Sequence, residues 1–117
     1  NIIGFYYNSS LEYIYDFSLY NTLYSWTSYA NCIGAKTNFN SFYQGGLYLH
    51  PGDGYIELPL HPDYNFVSVY YGNPHVGGST YLYIDDVYKE GCSSNQFKTY
   101  TTTYTPGQIL KIKEVNG

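Results

Sequence analysis

Residues 45–60 read GGLYLHPGDGYIELPL, and this stretch decides the fold class. Leu47 and Leu49 alternate with Tyr48 and His50; after Pro51-Gly52-Asp53-Gly54, Ile56, Leu58 and Leu60 alternate with Tyr55 and Glu57. A period of two residues belongs to a strand with one buried face, and a Pro/Gly/Asp cluster between two such runs belongs to a turn. The same reading extends downstream. His61-Pro62-Asp63 turns into a strand at Phe66–Tyr71, ended by Gly72-Asn73-Pro74. Thr80–Ile84 passes through a tight Asp85-Asp86 turn into Val87-Tyr88-Lys89, and Gln96–Tyr104 and Gln108–Val115 are split by Thr105-Pro106-Gly107. Upstream, Ile2–Tyr7 and Leu11–Phe17 read as strands, while residues 19–35 leave strand, loop and one short helix open. About eight short strands at this spacing predict an all-β chain, a two-sheet antiparallel β-sandwich of the jelly-roll kind.

The alternation also sorts side chains. One set is aliphatic: Leu47, Leu49, Ile56, Leu58, Leu60, Val67, Val69, Leu82, Ile84, Leu110 and Ile112. It is expected between the sheets. The opposite set holds Tyr48, His50, Tyr55, Glu57, Tyr70, Tyr81, Tyr83, Lys111 and Lys113, which leaves tyrosines on the outer faces. Each ring offers about 150–250 Å² of largely apolar area. Such rings either cover the sheet and pair across strands or touch something else, namely a second subunit or a glycan.

The 117 residues, with formal charge −4, suit one domain spanning 1–117. Eighteen Tyr and six Phe, with no Met, favour pleated structure over helix. Five Lys and no Arg offer little grip on phosphates, so no nucleic-acid partner is expected. The apolar runs are too short for a membrane-spanning helix, and the acidic balance disfavours an anionic membrane surface. A low share of charged residues in a Tyr-, Asn-, Gly- and Thr-rich chain points to an extracellular, secreted or cell-surface setting. In that setting Cys32 and Cys92 are expected to form a disulfide, worth roughly 4 kcal/mol by chain entropy. Two separate buried thiols are the alternative. No apolar leader opens the chain, and Asn1 in place of Met suggests a processed protein or a piece of a longer one.

Catalytic constellations are missing from the sequence. His50, His61 and His75 all adjoin prolines in turns, no G-x-S-x-G elbow exists, and Asp85-Asp86 has the residue type a hairpin turn favours. Neighbouring carboxylates on a strand would point apart, so no glycosidase pair is assigned. Without CxxC or HxxxH spacing no zinc site is assigned either. The expectation is a non-enzymatic protein without a cofactor. Asn8-Ser9-Ser10 is one N-glycosylation sequon, between two candidate strands.

The run at 45–60, followed by VSVYYGN at 67–73, LYIDDVYKE at 82–90 and PGQILKIKE at 106–114, resembles a galactose-binding-like jelly-roll domain. The resemblance covers roughly residues 26–115. Related folds include carbohydrate-binding modules and jelly-roll subunits of extracellular fibrils. Binding residues in such modules lie in variable loops, so none carries over. Many of them hold a structural calcium, for which Asp53, Asp63 and Glu114 would be the candidates here, but no D-x-D spacing is present and no metal is assigned.

Two functional expectations follow. The first is a secreted structural subunit that assembles with copies of itself into a fibre or coat. Residues 1–10 would then be a donated or edge strand, with Ile2, Ile3, Phe5, Tyr6 and Tyr7 as the assembly strand. The second is a carbohydrate-binding module stacking sugars on surface aromatics, namely Trp26, Tyr48, Tyr55, Tyr70, Tyr81 and Tyr83. A sugar binder needs aromatics converging on one plane; an assembling subunit needs them on opposite faces and along an edge.

Overall fold

A computed structural model describes residues 2–7, 12–16, 36–43, 46–49, 52–73 and 77–115. The described residues form eleven strands: β1 (Ile2–Tyr7), β2 (Glu12–Asp16), β3 (Lys36–Thr37), β4 (Phe39–Tyr43), β5 (Gly46–Leu49), β6 (Tyr55–Pro59), β7 (Phe66–Asn73), β8 (Ser79–Ile84), β9 (Val87–Cys92), β10 (Gln96–Thr103) and β11 (Ile109–Val115). One sheet has the order β10-β7-β1-β5-β4, with β2 also paired to β1, and the other the order β3-β6-β11-β8-β9. All pairings are antiparallel. The chain is thus a two-sheet antiparallel β-sandwich. Strands β3 and β4 lie in the first half, where two residues and a mixed FNSFY run carry no readable alternation.

The core is drawn from the predicted aliphatic set, of which the Leu47 side chain lies outside what is described. Leu49, Val67 and Val69 from the first sheet meet Ile56, Leu58, Leu60, Leu82, Ile84, Leu110 and Ile112 from the second, each 6% exposed or less. Strands β6 and β8 alternate strictly between half-buried and buried residues, as one face against a core requires. Tyr71, fully buried, continues the inward series of Val67 and Val69. Its hydroxyl needs a partner, and it donates to Glu90 Oε2 of the opposite sheet at 2.6 Å. Lys98 Nζ donates to the Gly91 carbonyl at 2.7 Å. Both contacts tie β9 to the β7–β10 side of the sandwich. Tyr104 closes another part of the core, donating its hydroxyl to the His61 carbonyl at 2.7 Å.

The Asp85-Asp86 turn is the tight hairpin the sequence predicts. Both residues have positive φ, 49° and 63°, as a two-residue type I′ turn demands. Asp85 is also anchored, its carboxylate accepting from the Ile109 amide at 3.0 Å and the Gln108 side-chain amide at 3.2 Å. These bonds fix the hairpin against β11.

Candidate interaction surfaces

On the outer face of the second sheet, Tyr55, Glu57, Lys111, Lys113, Tyr81 and Tyr83 stand on the odd-numbered positions that alternation turns away from the core. The register sets them in rows across the strands. Lys113 lies between Tyr55 and Tyr81, and Lys111 between Glu57 and Tyr83. Lys36 of β3 opposes Glu57 from the other side. Lys111 Nζ sits 3.4 Å from Glu57 Oε1 and 5.9 Å from the centre of the Tyr55 ring, and Lys113 Nζ is 5.9 Å from the Tyr83 ring. Tyr55 is positioned by Asn38, whose side-chain oxygen accepts the Tyr55 amide at 2.7 Å and whose side-chain nitrogen donates to the Asp53 carbonyl at 3.1 Å.

Tyr88 joins this face because of one extra residue. Thr80, Tyr81 and Leu82 pair with Cys92, Gly91 and Glu90, but Tyr83 then pairs with Tyr88, leaving Lys89 unopposed in a bulge. Without that residue Tyr88 would share the inward side with Glu90 and Cys92. With it, the Tyr88 ring makes edge contacts to Tyr81 (5.6 Å) and Tyr83 (5.9 Å) on the outside. The Tyr81 ring also covers Gly91, where an added Cβ would stand 2.5 Å from it.

The outer face of the first sheet carries a smaller pair. Tyr70 and Phe97, 36% and 38% exposed, hold their rings 5.6 Å apart. Phe97 covers Gly72, its direct cross-strand partner. Tyr48, on β5, is half-buried. Exposed aromatics therefore stand on both outer faces.

Beside them runs β10. It ends its sheet, pairing with β7 over all eight residues without a register shift, and has no second strand partner among the described residues. Its residues Gln96 to Thr99, Thr101 and Thr103 are exposed. Hydrogen bonding in an antiparallel ladder alternates, and the Tyr104 amide donates to the Asn65 carbonyl. Counting back in register, Gln96, Lys98, Tyr100 and Thr102 bond to β7, while Phe97, Thr99, Thr101 and Thr103 turn their backbone groups to the open edge.

Residues 2–7 of the expected assembly strand form β1. Within this chain β1 is an inner strand: Ile2 and Gly4 to Tyr7 pair with β7, and the other side pairs with Leu47 of β5 and with β2. Ile2, Ile3, Phe5, Tyr6 and Tyr7 thus complete their own sheet, and β10 is an edge strand of it among the described residues. A strand flanked on both sides buries its ladder, which an apolar IIGFYY segment favours.

Cys92 is buried beside Tyr71 and has no disulfide partner among the described residues; its expected partner Cys32 lies outside them. Burial is the main cause that pushes the Cys92 thiol up, and burial together with the Glu90 hydrogen bond pushes the Tyr71 hydroxyl up. Trp26, Asn8, His50 and His75 also lie outside the described residues. His61 Nδ1 accepts the Asp63 amide at 3.1 Å, a turn contact. Of the calcium candidates, Asp53 and Glu114 line one shallow groove, with Lys111 and Lys113 in the same lining, while Asp63 stands beyond the other end of β6 and Glu114 accepts the Thr80 hydroxyl. No group of three or more His, Cys, Asp or Glu side chains gathers among the described residues.

Tyr88, Phe97 and the β10 edge are the surface features that sequence reasoning missed. The bulge has no signature in the sequence, and strand order decides which strand is left unpaired. No family model matches the chain, and neither a curated protein nor a solved structure does.

Proposed function

We propose that this chain is a non-enzymatic structural subunit that assembles with copies of itself through the β10 edge into an extracellular fibre or coat. The observation that carries the reading is the length of β10 left without a second strand partner among the described residues. Eight residues rich in Thr and aromatics, with Lys98 as their one charge, offer the backbone groups of Phe97, Thr99, Thr101 and Thr103 to another strand. A long exposed edge is a template for adding a strand, and natural monomers blunt such edges with charges, proline or bulges. Tyr70 and Phe97 beside it add apolar area to the same contact. The far end of the sheet is β4, so a copy that lays its β4 along β10 extends the sheet head to tail without closure. The low charge and Tyr/Thr-rich composition support the extracellular setting.

Thr101→Pro tests this directly. Residue 101 does not donate to β7 in the alternation above, so proline there removes an outward N–H and spares the native ladder. Sedimentation velocity and electron microscopy of the wild type should show concentration-dependent growth beyond a dimer. The Thr101→Pro chain should stay monomeric and folded. A wild-type chain that remains a monomer or stops at a closed dimer, or a Thr101→Pro chain that assembles as well, refutes the reading.

A further inference from the structure

We propose that the β8–β9 hairpin carries an oxidative cross-linking site, at which Tyr83 and Tyr88 couple into an intramolecular dityrosine when a haem peroxidase with hydrogen peroxide acts on the chain. The proposal does not depend on the β10 edge, which belongs to the other sheet.

Placement is the first argument. Tyr83 and Tyr88 are direct cross-strand partners, because the bulge at Lys89 turns Tyr88 outward. Residues directly opposed in an antiparallel pair hold their Cβ atoms about 4.5–5.5 Å apart. The two rings stand 5.9 Å apart, centre to centre, and are inclined at 71°. Phenols joined ortho to ortho are likewise twisted about the bond between them. The χ2 torsion of tyrosine is broad and two-fold, so each ring can turn and present either of its ortho carbons to the other. Tyr81 also meets Tyr88, at 5.6 Å, but its ring lies over Gly91, where an added Cβ would stand 2.5 Å from it. That packing holds Tyr81 in place and leaves Tyr83 as the better partner.

Access is the second. Tyr88 is 55% exposed, so an oxidant reaches its phenol in the folded chain, and Tyr83 stands half-buried beside it. Groups that would otherwise consume the oxidant are scarce: the chain has no Met, and Cys92 is 2% exposed. Tyr70 faces Phe97, which has no phenol to couple, and Tyr71 is fully buried.

The chemistry balances. Each phenol gives up one electron and one proton and becomes a phenoxyl radical. The two radicals form one carbon–carbon bond between ortho carbons, and each of those carbons passes its hydrogen to the phenol oxygen as the ring regains aromaticity. Two hydrogens leave the protein in all, and one hydrogen peroxide takes them up as two waters. The bond staples β9, which ends the second sheet among the described residues, to its partner β8. Glu90 and Gly91 of the same strand hold the other sheet through Tyr71 and Lys98, so the staple secures that junction as well.

Peroxidase with limiting hydrogen peroxide, applied to dilute wild type and to the Thr101→Pro chain, tests the proposal. The products are then reduced and alkylated, so that a disulfide does not count. In both proteins the single chain should show dityrosine fluorescence and a mass lower by two hydrogens; oxidation of Trp26 would add oxygen instead. Cleavage before aspartates separates residues 63–84 from 86–117. These two peptides should stay joined, with fragmentation placing the bond at Tyr83 and Tyr88. Tyr83→Phe and Tyr88→Phe, which keep the rings, should each lose the joined pair, and Tyr70→Phe should retain it. Absence of dityrosine from the single chain, a bond mapped to other tyrosines, or a joined pair that persists in Tyr88→Phe overturns the proposal.

Discussion

Tyr71→Phe isolates the polar contact that joins the two sheets. The ring is fully buried and stays in place, so no cavity opens and the hydrophobic term is nearly unchanged. What is lost is one hydrogen bond of 2.6 Å from the phenol to the Glu90 carboxylate. Hydrogen bonds to charged groups contribute about 1.5–3 kcal/mol. Glu90 is only half-buried, so water reaches it once the phenol is gone, and the lower end of that range, about 1.5–2 kcal/mol, applies. At this chain length that is a fall in Tm of roughly 6–8 °C. Urea unfolding of Tyr71→Phe, Glu90→Gln and the double variant at neutral pH measures the coupling, which should be at least about 1 kcal/mol.

The same contact has a pH signature. Burial, then the Glu90 bond, holds the Tyr71 hydroxyl above the ordinary tyrosine value, and burial pushes Tyr104 up to about 12. An unfolded tyrosine releases its proton near pH 10, before these two do in the folded chain. Above about pH 10 the native state therefore binds more protons than the unfolded state, and stability falls as pH rises. The contribution is fully present below that pH. Tyr71→Phe should flatten the alkaline decline. A variant within about 0.5 kcal/mol of wild type, additive with Glu90→Gln and equally sensitive to alkali, would refute this account of the Tyr71–Glu90 contact.

Other expectations concern the core and the cysteines. Leu58, 1% exposed at the centre of the β6 inward face, should lose about 2–5 kcal/mol on change to Ala in a chemical denaturation series; a loss below about 1 kcal/mol would mean the site collapses around the deletion. Intact mass of protein purified without reductant, before and after reduction, should show a two-hydrogen gain if Cys32 and Cys92 are paired; two alkylatable thiols before reduction would remove the disulfide and weaken the case for an extracellular setting.

The sequence by itself determined the strands and their two faces. Alternation is a local property, set by the geometry of one extended chain, so Leu47 to Leu60 announce strand, turn and strand without reference to anything distant. The Asp85-Asp86 hairpin was legible for the same reason, because two short polar residues that tolerate positive φ stand between two apolar runs. Tertiary structure decided what is non-local. Strand order put β1 inside its sheet and left β10 at the rim, though IIGFYY and QFKTYTTT are both good strand sequences. The bulge at Lys89 turned Tyr88 outward, and the approach of the two sheets drew Tyr71 into the core against Glu90. Which tyrosine becomes core and which becomes surface depends on the partner strand, and a single chain segment carries no record of its partner.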